Sequence, residues 1–324
     1  PPAAPLPPAS VQFQFRPILP GLPPPWPIER PLSVTAFRDY LECPFRFYLR
    51  HRLRLEEQDD RKREPDSRDF GNLVHHALRQ LHSRPELRQC ADDSRLRQAL
   101  HEAAADWIRL RYGDVETLAA RIALEAARNR LAAVAQCQAA EAAAGWTLLA
   151  SEHRASITLG GLTVRGIIDR IDYHPDTGTI RILDYKTGAT AESCQTMHLA
   201  AARPDTPPDA RAPGKGRPRR WIDLQLPLYA LMWEASPLRP TRAVTLGYFR
   251  IPPSRDDTGI QMWDDFSDSL LGSARTCAET IITAVREGRF WPPSERTAYA
   301  DPFRSRAGGE LDTVFRPPVV EVAR

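Results

Sequence analysis

The segment ILDYKTG, residues 182–188, ends a short apolar run with Asp184 and Lys186 two positions apart. In an extended strand alternate side chains share a face, so this carboxylate and ammonium point the same way while Leu183 and Tyr185 point the other. Burying both charges is costly unless each finds a partner, a metal or a substrate. The competing reading is an exposed ion pair on an edge strand, which is nearly neutral in energy. Upstream, GIIDRID places Asp169 and Asp172 just before the hairpin that leads to Asp184. Three carboxylates and a lysine on neighbouring strands in apolar surroundings exceed what packing requires. A hard divalent cation, magnesium or manganese, would account for them, because it takes carboxylate, water and phosphate oxygens. Lys186 would then orient or deprotonate a water and offset charge on a phosphoryl group.

Elements able to position these groups can be read around them. WTLLASEHRASITL, LTVRGIIDRIDY and TIRILDYKTG alternate or run apolar and are joined by GG and HPDTGT, the pattern of consecutive antiparallel strands. DLQLPLYALMWEA returns to helical periodicity, RAVTLGYFRIP to strand and SLLGSARTCAETIITAVREG to helix. Before the strands, Ser33 or Thr35 can cap a helix carrying Phe37, Tyr40 and Leu41, and Pro44 suits the first turn of a second. FGNLVHHALRQLH reads as another helix, and the alanine-rich stretch from Ser94 to Ala143 as long helices broken at RYGD. The expected fold is α/β, a mixed central sheet flanked by helices. Residues 1–30, rich in proline, are expected to be a linker or arm. Residues 31–324 are expected to form one domain with a helical insertion at about 84–145.

With 324 residues, 42% of them hydrophobic, the chain can bury an ordinary core. Its formal charge of +3 is too mild to make bulk charge the source of any nucleic-acid affinity, so that affinity must come from local clusters. The five cysteines, Cys43, Cys90, Cys137, Cys194 and Cys277, lie far apart with no CxxC spacing, which argues for a reducing, cytoplasmic setting. No apolar run reaches the ~18 residues of a membrane span, and no signal pattern opens the chain. No GxxxxGK(S/T) phosphate loop is present, so any helicase motor would lie elsewhere.

Four motifs in order resemble the PD-(D/E)XK nuclease superfamily, and within it the RecB-like branch of helicase-nuclease complexes and CRISPR-adaptation nucleases. SVTAFRDYLECPFRFYL resembles the branch's N-terminal motif, and GNLVHHAL its GxxxHxxL motif. GIIDRID followed by ILDYKTG resembles the split catalytic motif, and QLPLY the QxxxY motif. The resemblance implies His75, Asp169 and Asp184 as metal ligands and Lys186 as the catalytic lysine. It places Gln225 and Tyr229, one helical turn apart, beside the active site and DNA. Asp172 is then a supporting or surface residue, and Glu152 is left outside the ligand set, with contact through water as the alternative. Some members of the branch hold an iron-sulfur cluster through one cysteine in the N-terminal motif and three near the C-terminus. Here Cys43 is present but no cysteine follows Cys277, so no cluster is expected and Cys43 becomes a small buried residue.

Contact with DNA needs positive charge near this centre. RAPGKGRPRRW, read as a mobile loop, supplies Arg217, Arg219 and Arg220 to grip phosphates. RFYLRHRLRL adds Arg46, Arg50, Arg52 and Arg54, with Phe47 as a stacking surface for unpaired bases. The expected activity is magnesium- or manganese-dependent cleavage of DNA, exonucleolytic on single-stranded or end-containing substrates, in repair or recombination, with a helicase as a possible partner. The rival is a catalytically silent DNA-binding or assembly module, whose signature would be a lost acid or lysine.

Overall fold

The structure, a computed structural model, describes residues 26–27, 29–55, 65–113, 117–189, 192–214, 216–236, 243–291 and 294. Most of the proline-rich segment expected as an arm, the C-terminal segment after 294 and Lys215 lie outside the described residues. At the end of that expected arm, Trp26 is buried and packs on Phe47 at 5.6 Å between ring centroids.

The chain opens with a two-residue strand, β1 (Leu32–Ser33), and α1 (Val34–Glu42), whose first turn is capped by the Ser33 hydroxyl accepting from the Ala36 N–H. Cys43 breaks the helix in an extended conformation, and Pro44 starts α2 (Pro44–Phe47), which runs on into a π turn at Tyr48–Arg52. Helix α3 (Ser67–Ser83) begins with a reciprocal capping box between Asp66 and Asp69. Helices α4 (Asp93–Tyr112) and α5 (Leu118–Ala143) follow, the first ending at Gly113 with φ +83°. The segment expected as a helical insertion therefore holds two helices broken where RYGD stands.

Three long strands come next: β2 (Thr147–Leu159), β3 (Leu162–Tyr173) and β4 (Ile180–Lys186). A crossover of α6 (Cys194–His198), β5 (Leu199–Ala201), β6 (Arg211–Ala212), β7 (Arg219–Trp221) and α7 (Gln225–Glu234) leads to β8 (Val244–Arg250). Strand β9 (Gly259–Met262) and α8 (Asp268–Arg286) close the described fold. The main sheet has six strands: β2 pairs with β3 along its length, and β3, β4, β8 and β9 follow in order, β4 and β8 being parallel and the others antiparallel. Strand β1 adds in parallel to β3 at Leu32↔Val164. The fold is thus α/β with a mixed sheet, as the sequence pattern implied.

Alternation along β4 divides the core. Ile180 and Ile182 join Leu246, Tyr248 and residues of α1, α7 and α8 in one buried cluster; Leu183 and Tyr185 join Phe249 and residues of α3, α4 and α5 in the other. The charged end of β4 therefore emerges between two helical layers. The stretch read as a mobile loop is instead a strand pair: β5, β7 and β6 make a small antiparallel sheet, with Arg211 opposite Arg220 and Ala212 opposite Arg219. The prolines and glycines hid two very short strands, each too brief to show an alternation.

Candidate active site

Strands β3 and β4 pair from Tyr173↔Ile180 to Arg170↔Leu183 and then separate. The next position on each strand is an aspartate, Asp169 on one and Asp184 on the other. At this fork Asp169 Oδ2 accepts the Tyr185 N–H at 2.8 Å, so a side chain replaces the ladder. Asp184 is 3% exposed on an interior strand, which removes the edge-strand reading of its ion pair. Its Oδ2 lies 2.7 Å from Lys186 Nζ, and its Oδ1 accepts from Gln225 Nε2 at 2.7 Å. Asp184 and Lys186 do share one face.

The first residue of α7 organises that face. Gln225 accepts from Lys186 Nζ at 3.3 Å through Oε1 and donates through Nε2 to Asp184 and, at 3.1 Å, to the Tyr229 hydroxyl one turn later. Behind it, Asp223 Oδ1 accepts the Gln225 N–H at 2.8 Å. His198, fully buried, donates from Nδ1 to the Asp223 carbonyl at 2.9 Å, which leaves Nε2 to accept from the Tyr248 hydroxyl at 2.8 Å. Burial depresses the His198 imidazolium, consistent with this neutral tautomer. The Tyr248 ring lies under Lys186, with Nζ 4.9 Å from its centroid, so a closed ring of contacts returns to the lysine. Burial opposes the Lys186 ammonium, but the charge and hydrogen bond of Asp184 outweigh it and raise the lysine above its usual range.

On the other side of the fork stands His75, from α3. Its Nδ1 is 3.0 Å from Glu152 Oε1 and 3.6 Å from Asp169 Oδ1. One ligand atom from each of His75, Glu152 and Asp169 lies within 4.8 Å of the others, the one such group among the described residues. Burial, then the charge of Asp184, pushes the Asp169 carboxyl well above the usual carboxylate range, against the pull of His75 and the Tyr185 N–H. Burial disfavours charge on His75, but the Glu152 hydrogen bond and the Asp169 and Asp184 charges prevail and raise it. Carboxylates crowded together, beside an imidazole that could turn a lone pair inward, suit a divalent cation that accepts oxygen and nitrogen donors.

Of the expected ligands, His75 and Asp169 stand together. Asp184 is adjacent across the fork, but its oxygens are engaged by Lys186 and Gln225. Glu152, left out of the expected set, occupies the third place. Pairs Ser151↔Arg170 and His153↔Ile168 put it opposite Asp169, and its backbone takes φ +51°, left-handed for a non-glycine within a strand. Such a conformation costs about 1–3 kcal/mol and gathers at functional sites.

The remaining expectations divide. Asp172 is fully buried, accepting from Arg170 Nε at 2.8 Å and Arg181 Nη2 at 2.8 Å, so it is a supporting residue and not a surface one. Phe47 is buried against Tyr40, His51 and Phe290 and has no face to offer a base; the aromatic run that suggested stacking is core. Arg50 is bound to Asp39 at 2.7 Å. Arg217 is exposed, whereas Arg219 and Arg220 are half-buried on β7; Arg220, with Arg38 and Arg203, lines a 270 Å³ cavity. Cys43 is fully buried, its Sγ accepting from the Ser294 N–H at 3.2 Å.

The sequence profile of the PD-(D/E)XK nuclease superfamily matches residues 31–297, including the fork, α3 and α7. The chain belongs to this superfamily. Nucleases of this superfamily use divalent metals, and the His75–Glu152–Asp169 group is an acidic site compatible with one. No curated protein matches the chain. Among solved structures, a candidate exonuclease from Eubacterium rectale is similar at 13% identity over 84% of this chain and 90% of that chain, with a TM-score of 0.44. A likeness that low carries no argument about activity. No helix among the described residues is long and apolar enough to cross a membrane.

Proposed function

We propose that the chain is a magnesium- or manganese-dependent deoxyribonuclease of the RecB-like branch, acting as an exonuclease on single-stranded or end-containing DNA in repair or recombination. The observation that supports it best is the fork itself. Two aspartates, a lysine and a histidine from three elements, β3, β4 and α3, converge where β3 and β4 part, and none of the four has been lost. His75, Asp169 and Asp184 would hold the cation, with Glu152 added to the set. When bound, a divalent cation supplies a water of lowered pKa and offsets charge at the phosphate.

The chain's own groups do the rest. Lys186 Nζ is held between Asp184 Oδ2 and Gln225 Oε1, both acceptors, so we assign it orientation of the water and of the phosphate oxygens. Gln225 fixes Asp184 and Lys186 relative to each other, and Tyr229 limits the swing of Gln225. His75 and Glu152 brace the Asp169 side. Arg217, Arg219 and Arg220 are assigned to the DNA backbone. We also keep a single nuclease domain over 31–324, a helicase subunit or domain as partner, and a reducing cytoplasm, in which the five free cysteines would persist.

End-labelled single- and double-stranded DNA incubated with magnesium, manganese or chelator tests this reading, wild type against Lys186→Ala and Asp169→Asn. Metal-dependent cutting that is lost in both variants is the expected result. DNA binding with no cutting in either metal would replace the nuclease with the silent module.

A further inference from the structure

We infer that a groove beside the fork, between the start of α1 and the outer half of the β2–β3 ribbon, is a subsite for the sugar-phosphate backbone of the substrate strand flanking the cleaved position. The substrate identity rests on the nuclease reading above; the residues are different ones.

A cavity of about 580 Å³ opens there. Arg154 and Ser156 reach it from β2, Arg165 and Ile167 from β3, and Ser33 and Thr35 from the start of α1. Its inner wall is Tyr229, the residue whose hydroxyl meets Gln225, so the cavity and the acids share a partition. The register sets the spacing. Arg154 lies opposite Ile167 and Ser156 opposite Arg165, so the four residues form two successive rungs of the ribbon, two apart. Arg154 is two residues after Glu152 and Ile167 two before Asp169, both toward the β2–β3 turn, so the rungs stand ~7 and ~13 Å from the acids at ~3.3 Å per residue. That separation matches about one and two nucleotide repeats of an extended strand.

The chemistry of the lining fits an anionic polymer with apolar parts. Among the described residues neither Arg154 nor Arg165 has an ion-pair partner, although Arg50, Arg170 and Arg181 elsewhere each have one. Both are exposed, and so is Ile167, a large apolar side chain left 41% open between them. Two unneutralised guanidiniums offer forked donors to phosphate oxygens. The hydroxyls of Thr35 and Ser156 add neutral donors, and Ile167 offers apolar surface to a sugar or base edge. None of these groups needs a particular base, so the subsite grips without reading sequence.

The test uses the full chain in chelator, to keep the proposed metal-dependent cleavage silent. A fluorescein-labelled single-stranded oligonucleotide and its duplex are titrated at several salt concentrations, and manganese binding is measured in parallel. For Arg154→Ala/Arg165→Ala we expect Kd for the single strand to rise about tenfold and the salt slope to shrink by about 1.4, because two phosphates are no longer neutralised. Manganese binding should be unchanged, Arg154→Lys/Arg165→Lys should recover most of the affinity, and Arg97→Ala/Arg121→Ala, on the exposed helical side, should leave the slope near wild type. Affinity and slope unchanged in the alanine pair would overturn the subsite, as would a loss for the duplex alone. The two readings separate cleanly. A wild type that binds but never cuts, with binding lost in the alanine pair, keeps the groove and removes the nuclease; a wild type that cuts, with an alanine pair that binds and cuts equally, does the reverse.

Discussion

A methyl group added at Gly166 tests whether α7 is seated as tightly on β3 as the site requires. Gly166 lies in the middle of β3 outside the left-handed region, so alanine there meets no backbone penalty. Its Cβ would stand 2.8 Å from Val34 Cγ2, 2.9 Å from Tyr229 Cε1 and 3.3 Å from Met232 Sδ. All three partners are nearly inaccessible, and Tyr229 is tethered through its hydroxyl to Gln225. Carbon contacts relax to about 3.5–4.0 Å, so at least one helix has to move. Overpacking of this kind costs about 1–3 kcal/mol. Restricting the unfolded chain returns about 0.4–1 kcal/mol, leaving a net loss of about 1.3 kcal/mol at the middle of these ranges and at most about 2.6 kcal/mol. Displacing Tyr229 also pulls Gln225 from Asp184, so the cleavage rate should fall further than the loss of folded protein explains. Gly272→Ala is the matched control: it sits exposed within α8 with nothing within 4 Å of the added carbon. There the same methyl should stabilise by about 0.5–1 kcal/mol. Urea unfolding followed by tryptophan fluorescence, with unchanged slope, measures both. Equal shifts in the two variants, or a stable and fully active Gly166→Ala, would refute the close packing argued here.

Other outcomes follow from single contacts. Asp172→Ala strands Arg170 without its carboxylate in a fully buried position and should cost about 3–5 kcal/mol, read as a lower urea midpoint. Tyr248→Phe keeps a ring under Lys186 but leaves His198 Nε2 unpaired, so stability should drop by about 1–3 kcal/mol with cleavage largely kept; Tyr248→Leu should lower cleavage as well. Burial raises the Asp39 carboxyl, but the hydrogen bond from His51 and the Arg50 charge prevail and hold it below its ordinary 3.8. A depressed folded pKa means the stabilisation is present above about 3.8 and is lost as pH falls through the folded value. The gap in Tm between wild type and Asp39→Asn should accordingly be widest near neutrality and close in acid.

Much of this architecture was legible because periodicity changes sharply along the chain. The paired glycines 160 and 161 announce the β2–β3 turn, and counting outward from it already identifies the residue that the motif reading left out. Leu159 faces Leu162, and Glu152 lies as many positions before the first as Asp169 lies after the second. Register, not residue type, is the signal for Glu152; a lone glutamate between serine and histidine carries none. The β5–β7 sheet could not be read, since strands of two or three residues have no period to detect. Phe47 misled for a different reason. An aromatic between arginines has the composition of a stacking platform, yet its helix turns it into the cluster formed with Trp26 and Phe290, a contact set by residues far away in sequence.

The fork also explains why charge is buried on both sides of it. The last paired residues before the strands part are Arg170 and Leu183, and Arg170 is tied to Asp172, which also binds Arg181 on β4, itself bound to Glu141 of α5 at 2.8 Å. A network of this type adds little net stability compared with apolar packing, because desolvation offsets most of the attraction. What it does add is a fixed geometry: guanidiniums on β3 and β4 share one carboxylate, so the strands cannot slide or splay in the paired region. Opening is then confined to Asp169 and Asp184, where hydrogen bonds from Tyr185 N and Gln225 hold each carboxylate in place. An apolar replacement of the network would preserve the core while letting the fork migrate, and with it the placement of Asp169 against His75 and of Asp184 against Lys186 and Gln225.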